Sequence, residues 1–426
     1  MFALFLSDDY CRVLSLTDNT QNGDPVLFVL QIPSESDIFT LRYAFSSAKT
    51  LYRKDGAFMY KYTVEEHEKS LDVTFEAFAK EVMSAQTAET LTVLYATDVH
   101  YIRSYPHYVP VYKKLQEMVQ FSKHIGADLL ALTGDTVDGN GPLEEMQYRD
   151  LFDVLTLLKE ADVTSMLISK GNHDNAQWFA YRNKLGAEAA ISAEQWYNHV
   201  INPIRTSFPI TLDPENVTGG YYYVDYPLQK IRVINLNTSD LPIVLDDQKR
   251  ISRKYCTQWE FGLSEKQLRW LTKALTFAEP DWSVVLCSHY CPLTKQDNCY
   301  NGELLEEIIN AYREGRKGCA VSDEPVMGAT VGYDFTENSS NDLLVWLAGH
   351  VHLDRVWRIE GITVVESLNL LGFNHGQEPY LVEIPGVGTV GKDLYNGWDC
   401  MLIDKKRRLL TAKRYGRREL DRTIEL

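Results

Sequence analysis

Aspartate, asparagine and histidine recur in this sequence at one kind of place, just after a short apolar run. "LYATDVH" ends in Asp98 and His100, "LALTGDTVD" holds Asp135 and Asp138, and "MLISKGNHD" holds Asn172, His173 and Asp174. "VVLCSHY" delivers His289, and "LLVWLAGHVH" delivers His350 and His352. Imidazole is the commonest side-chain metal ligand, and carboxylate and amide oxygens complete mixed nitrogen–oxygen sites. Each block alone has an ordinary explanation. Asp-x-His arises by chance, Gly-Asp after a strand is a turn signal, and a lone histidine is usually a hydrogen-bonded interior residue. Five such blocks at five strand ends are not explained by packing. Cys287, Cys291 and Cys299 lie near His289 but form no CxxC pair, so free thiols are expected there rather than a thiolate zinc site.

The blocks need a scaffold that brings distant segments to one rim. From Leu91 onward, apolar runs alternate with helical patterns. "VYKKLQEMVQFSKHIG" has helical spacing and a glycine at the C-cap position, and "SEKQLRWLTKAL" opens with Ser264 and Gln267 in capping-box spacing. Strand–helix alternation predicts α/β layers, in which ligands gather at the carboxyl ends of the strands. Residues 1–90 differ. "PVLFVLQIP", "FTLRYAF" and "FMYKYTV", broken by "DNTQNGD" and "RKDG", predict an antiparallel β unit, with "FEAFAKEVMSA" as a helix before the next domain. The division expected is an N-terminal β-rich unit over 1–90 and the main domain over 91–426.

Within the main domain the alternation lapses over about 175–220, an aromatic-rich insertion expected above the strand ends. Trp178, Tyr181 and Trp196 are candidates there for stacking on a substrate, or else form the insertion's own core. The closing "DCMLIDKKRRLLTAKRYGRREL" predicts a hairpin whose basic turn, Lys405 to Arg408, is solvated rather than phosphate-binding.

A net charge of −16 over 426 residues argues against long nucleic acid as a partner. No apolar run is long enough to span a bilayer, and "MFALFLSDDY" lacks the basic stretch of a signal peptide. The seven cysteines, Cys11 included, do not form a disulfide framework. A cytoplasmic protein without membrane contact is expected, and the sequons at Asn216 and Asn338 then carry no weight. Protein partners are not legible.

In order, the blocks are D-x-H, G-D-x-x-D, G-N-H-D, a lone His and G-H-x-H, with no member missing. The chain thereby resembles the calcineurin-like metallophosphoesterases from about Leu91 to Glu366. The resemblance implies an α/β fold of four layers, α-β-β-α, in which two mixed sheets pack face to face with helices outside. It implies that Asp98, His100 and His352 hold one metal ion, that Asn172, His289 and His350 hold a second, and that Asp135 bridges them. Donors of this kind without thiolate suit Mn, Fe, Zn, Co or Ni, divalent or trivalent, better than Ca. Two ions about 3.5–4 Å apart clamp both oxygens of an in-line displacement, and a hydroxide between them would be the nucleophile. His173, beside the ligand Asn172, would stabilise the transition state or protonate the leaving alkoxide. Asp138 would be a supporting residue, and Asp174 would orient His173 or else close an Asx-type turn.

The expected substrate is a small phosphate ester. A diester, cyclic nucleotides included, is slightly favoured over a monoester, because the blocks supply no arginine or lysine clamp for a dianion. Lys170 and Arg103 could supply one, but both read as surface charges. A nuclease shares much of the motif set, and the acidic balance argues against it. A non-catalytic scaffold could lose ligands, and this chain has lost none.

Overall fold

The apolar runs that end in the reactive blocks are the central strands of two sheets. The computed structural model describes residues 73–103, 109–370, 398–416 and 420–426, and the backbone of seven short strands outside them. In the first sheet, Thr90–Ala96, Ala127–Leu132 and Val163–Ile168 run parallel. Asp399–Asp404 pairs antiparallel with Thr90–Ala96, and Leu409–Arg414 and Arg422–Glu425 complete six strands. The second sheet has seven. Its centre is Ile231–Asn235, Ser283–Cys287, Asp342–Ala348 and Ile362–Glu366, all parallel, with antiparallel strands at both edges.

Strands covered on both faces read as unbroken apolar runs, and these central strands are buried along almost their whole length. The two-residue period of a strand then divides the side chains between cores. In Ser283–Cys287, Val285 and Cys287 face the core shared by the two sheets, whereas Val284 and Leu286 face the outer helices. Helices Phe75–Ala85, Val109–Ile125 and Tyr148–Leu158 cover the first sheet, and Glu265–Ala274 and Gly302–Glu314 the second. The fold is therefore the expected four-layer sandwich. Trp346 is fully buried with its Nε1 donating to Ser288 Oγ at 2.8 Å, which removes the cost of hiding that N–H.

Helix Glu265–Ala274 shows one departure from its capping pattern. Ser264 Oγ accepts from the Gln267 amide at 3.3 Å, as a cap should. The Gln267 side chain, however, accepts from the Asn237 N–H at 2.8 Å and donates to the Asn237 carbonyl at 2.9 Å, because that loop passes beside the helix and needs its peptide groups paired. Gly126, after Val109–Ile125, has the left-handed φ of 62° expected of a C-cap glycine.

Helix Phe75–Ala85 packs where the sequence division does not place it. Phe78 and Val82, one turn apart, are buried, and Phe78 meets Phe121, Trp398 and Tyr415. Its apolar stripe joins the main core, so the core begins before residue 90. Further upstream, Arg12–Leu16, Val26–Gln31 and Ile38–Tyr43 form an antiparallel sheet, and Thr50–Tyr52 pairs with Phe58–Tyr60. The turns "DNTQNGD" and "RKDG", and Cys11, lie outside the described residues.

The C-terminal hairpin forms between Asp399–Asp404 and Leu409–Arg414 and inserts beside Thr90–Ala96. Its basic turn is engaged by carboxylates: Lys406 meets Glu89 and Arg408 meets Asp342. In the insertion, Trp196, Val200, Ile201 and Ile204 are fully buried in the main hydrophobic core. Among the described residues, no helix is long and apolar enough to cross a membrane.

Candidate metal centre

Five loops meet at the carboxyl ends of the central strands, three from the first sheet and two from the second. Asp98 and His100 follow Thr90–Ala96, Asp135 follows Ala127–Leu132, and Asn172 follows Val163–Ile168. His289 follows Ser283–Cys287, and His350 and His352 follow Asp342–Ala348. The chain reverses tightly at these points. Asp98, His100, Asp135, His350 and His352 all have φ between 46° and 73°, in the left-handed region. Asp and His tolerate that region better than bulkier residues, and each instance costs about 1–3 kcal/mol that surrounding packing must offset. The block glycines permit close approach: a Cβ on Gly171 would collide with Asp135, and one on Gly349 with Thr97 and Asp98.

The donors converge in two groups. In one, His352 Nε2 lies 3.1 Å from Asp98 Oδ1 and 3.2 Å from His100 Nε2. In the other, Asn172 Oδ1 lies 2.9 Å from His289 Nε2 and 3.1 Å from His350 Nδ1. Asp135 Oδ2 stands between them, 3.6 Å from His100 Nε2 and 3.3 Å from His289 Nε2. Outer contacts hold the rings. His289 Nδ1 rests on the Thr133 carbonyl at 2.9 Å, and His350 Nε2 meets Asp297 Oδ2 at 3.0 Å.

This donor set fits metal ions. Asp98 Oδ1 is buried and accepts no well-aligned hydrogen bond. Asp98, His100 and His352 could share one ion, and Asp98, Asp135 and His289 another, with all donor atoms of each group within 4.8 Å. Burial pushes His100 down to about 4 against the opposing pull of Asp138, so it is neutral near pH 7, the form that ligates. Burial works against a charged His289, yet Asp135 and Asp98 raise it to about 9. Burial likewise works against the Asp135 carboxylate, but His289 and His173 hold it well below its usual range. The carboxylate field that retains a proton on His289 would also favour a bound cation.

A family model for calcineurin-like phosphoesterases matches residues 91–354. The chain belongs to the calcineurin-like phosphoesterase family. As a member it is a metal-dependent phosphoester hydrolase. Among solved structures, a dimetal phosphatase from Danio rerio is 16% identical with a TM-score of 0.50, covering 79% of this chain and 98% of its own. A purple acid phosphatase from yellow lupin (Lupinus luteus) seeds is 13% identical with a TM-score of 0.38, covering 77% of this chain and 52% of its own. At 16% identity the likeness to the Danio rerio protein is one of fold. No curated protein is similar enough to match.

In this phosphoesterase His173 sits beside the donors, its ring 4.7 Å from that of His100. Its backbone N–H donates to Asp135 Oδ1 at 2.8 Å, and its Nδ1 meets the Asp138 carbonyl at 2.6 Å. A carbonyl only accepts, so Nδ1 carries the proton. Asp138 thus supports His173 through its backbone, while its carboxylate lies 3.5 Å from His100 Nδ1.

Asp174 does not orient the His173 ring. Its oxygens accept the Gly171 amide at 2.8 Å and the Val137 amide at 3.1 Å, tying two of the loops together. The Gly171 amide is three residues back in the same tight turn, and that local bond wins.

Of the two cations considered for a monoester, only one lies on the surface as the sequence suggests. Arg103 is exposed and pairs with Asp153 at 3.5 Å. Lys170, expected on the surface, is buried next to Trp196, because the insertion folds over it. Trp196 is a core residue, which removes it as a stacking platform. Trp178 and Tyr181 are half-buried and packed edge-on against Trp259 at 4.9 and 5.2 Å. Sequence reasoning missed Asp297, which belongs to no motif block and reaches His350 only through the fold.

Proposed function

We propose that this chain hydrolyses a small phosphodiester at a pair of transition-metal ions. Asp98, His100 and His352 would hold one ion, Asn172, His289 and His350 would hold the other, and Asp135 would serve both. When bound, the ions draw charge from the ester oxygens and lower the pKa of an attacking water. The chain's own residues do the rest. Thr133 and Asp297 fix the tautomers of His289 and His350, so the nitrogens facing Asn172 are the ones available to ligate. The Asp138 carbonyl accepts from His173 Nδ1–H and fixes the ring, so Nε2 is the nitrogen that, in the doubly protonated ring, gives its proton to the departing alkoxide.

The diester reading is carried by the placement of Arg103 and Lys170. One is turned to Asp153 and the other is enclosed beneath the insertion, so neither adds charge for a dianion. A diester brings a single charge and a poor alkoxide leaving group, for which a proton donor matters more than a clamp. A monoester is the second reading, motivated by the Danio rerio protein being a dimetal phosphatase. The test compares kcat/KM for an aryl phosphodiester and the matching monoester with Mn²⁺ near neutral pH. The diester is expected to be at least as good a substrate. A monoester preference of roughly a hundredfold, about 2.7 kcal/mol of transition-state binding, would overturn the assignment.

A further inference from the structure

Lys170 is a buried cation that the metal centre does not use. Its side chain is 6% exposed, and its Nζ lies 5.7 Å from the centre of the Trp196 ring. Among the described residues it makes no hydrogen bond or ion pair. It lines a cavity of about 50 Å³ together with Trp196, Ser239, Asp240, Ile191 and Leu241, and none of the seven candidate ligands lines that cavity. A water needs roughly 10–15 Å³ of such space, so there is room for about three to five waters or one small organic molecule.

Two further donors at this cavity lack acceptors. Trp196 Nε1 and Ser239 Oγ are both buried and have no hydrogen-bond partner among the described residues. An unmade buried hydrogen bond costs about 1–3 kcal/mol, so two of them beside an ammonium that feels the Asp174 and Asp240 charges but donates to neither point to a partner that brings acceptors. The acidic wall is already engaged. Asp240 Oδ2 takes the Ser264 amide at 3.1 Å, Ser264 Oγ at 2.5 Å and Gln267 Nε2 at 3.1 Å. Its charge still opposes a multiply charged guest. Ile191 and Leu241 supply apolar surface that a bare inorganic ion would not use.

We propose that this cavity binds a small organic monoanion, a short-chain carboxylate, with its oxygens on Lys170, Trp196 and Ser239. The site is separate from the metal centre and goes beyond the hydrolase reading, since it does not depend on which ester is cleaved. Lys170 and Gln177, both lining the cavity, flank the Gly171–Asp174 loop on either side, so an occupant there touches the ends of the loop that carries Asn172 and His173.

The probe is propionate, titrated into the metal-loaded full-length protein. The readout is the indole N–H signal of Trp196, identified by its loss in Trp196→Phe. A saturable shift of that signal is expected, retained in Asp135→Asn, weakened roughly tenfold or more in Lys170→Met and less in Ser239→Ala. Should Lys170→Met fail to fold, Ser239→Ala decides alone, since it removes only a hydroxyl. An unmoved Trp196 signal at saturating propionate would overturn the proposal. So would a shift lost in Asp135→Asn but unchanged in the Lys170 and Ser239 variants, which would place the anion on the metals. Sulfate is run in parallel, and sulfate binding tighter than propionate at this signal would overturn the carboxylate assignment.

Discussion

Arg414 donates from Nη2 to Asp354 Oδ1 at 2.9 Å, two residues beyond His352. The same guanidinium holds Asp399 through Nε at 2.6 Å, and Arg422 reaches both carboxylates. The C-terminal hairpin therefore clamps the loop that carries two candidate ligands, although it lies past the end of the family match at residue 354.

Arg414 is 1% exposed, so Arg414→Met leaves buried Asp399 and half-buried Asp354 to Arg422 alone. The expected loss in urea unfolding is about 3 kcal/mol, the low end for a broken buried pair because one cation remains. Burial alone would raise Asp399, but Arg414 and Arg422 hold it below the usual carboxylate range. A folded pKa below the unfolded value of about 3.9 stabilises the protein above that pH, and the contribution fades as pH falls through the folded value. The variant should thus begin acid unfolding at higher pH than wild type. An unchanged acid limb would show that the network does not hold the loop.

Asp135→Asn should weaken both metal sites, because Oδ2 faces both donor groups. Elemental analysis after reconstitution should approach two ions per chain in wild type and fall well below that in the variant. Full occupancy together with full activity in the variant would remove Asp135 from the shared position.

His173→Ala should leave metal content nearly unchanged and lower kcat by roughly 10²–10⁴. His100, Asp138 and His173 also come close enough to hold an ion among themselves, which is what makes the metal readout necessary. A parallel loss of metal would make His173 a ligand. An effect much smaller on substrates with good leaving groups would favour the proton-donor role.

Asp297→Asn removes the negative partner of His350 Nε2. Losing such an outer carboxylate typically costs 10–100-fold in metal affinity or activity. Chelator competition should show that loss for one of the two ions. Equal affinities in wild type and variant would mean that the 3.0 Å contact does not tune the ligand.

Residue type and local spacing singled out the five blocks, and the family resemblance chose the candidate donors within them. Asp98, His100, Asp135, Asn172, His289, His350 and His352 each follow an apolar run, because a strand buried on both faces must be apolar and must end where its side chains can turn outward. The same local rules made the α/β layering and the C-terminal hairpin legible. Contacts between segments far apart in the chain were not. Asp297 meets His350, Arg414 meets Asp354, and helix Phe75–Ala85 joins a core whose other walls come from residues 121, 398 and 415. Lys170 looks like a surface charge in its own neighbourhood and becomes a buried one only when the insertion folds Trp196 against it. Asp174 shows the reverse. Its neighbour His173 suggested one partner, and backbone amides within its own turn and at Val137 supplied another. A side chain's type is set by its codon, but its solvent, its neighbours and hence its charge state are set by whichever segments the two sheets bring against it.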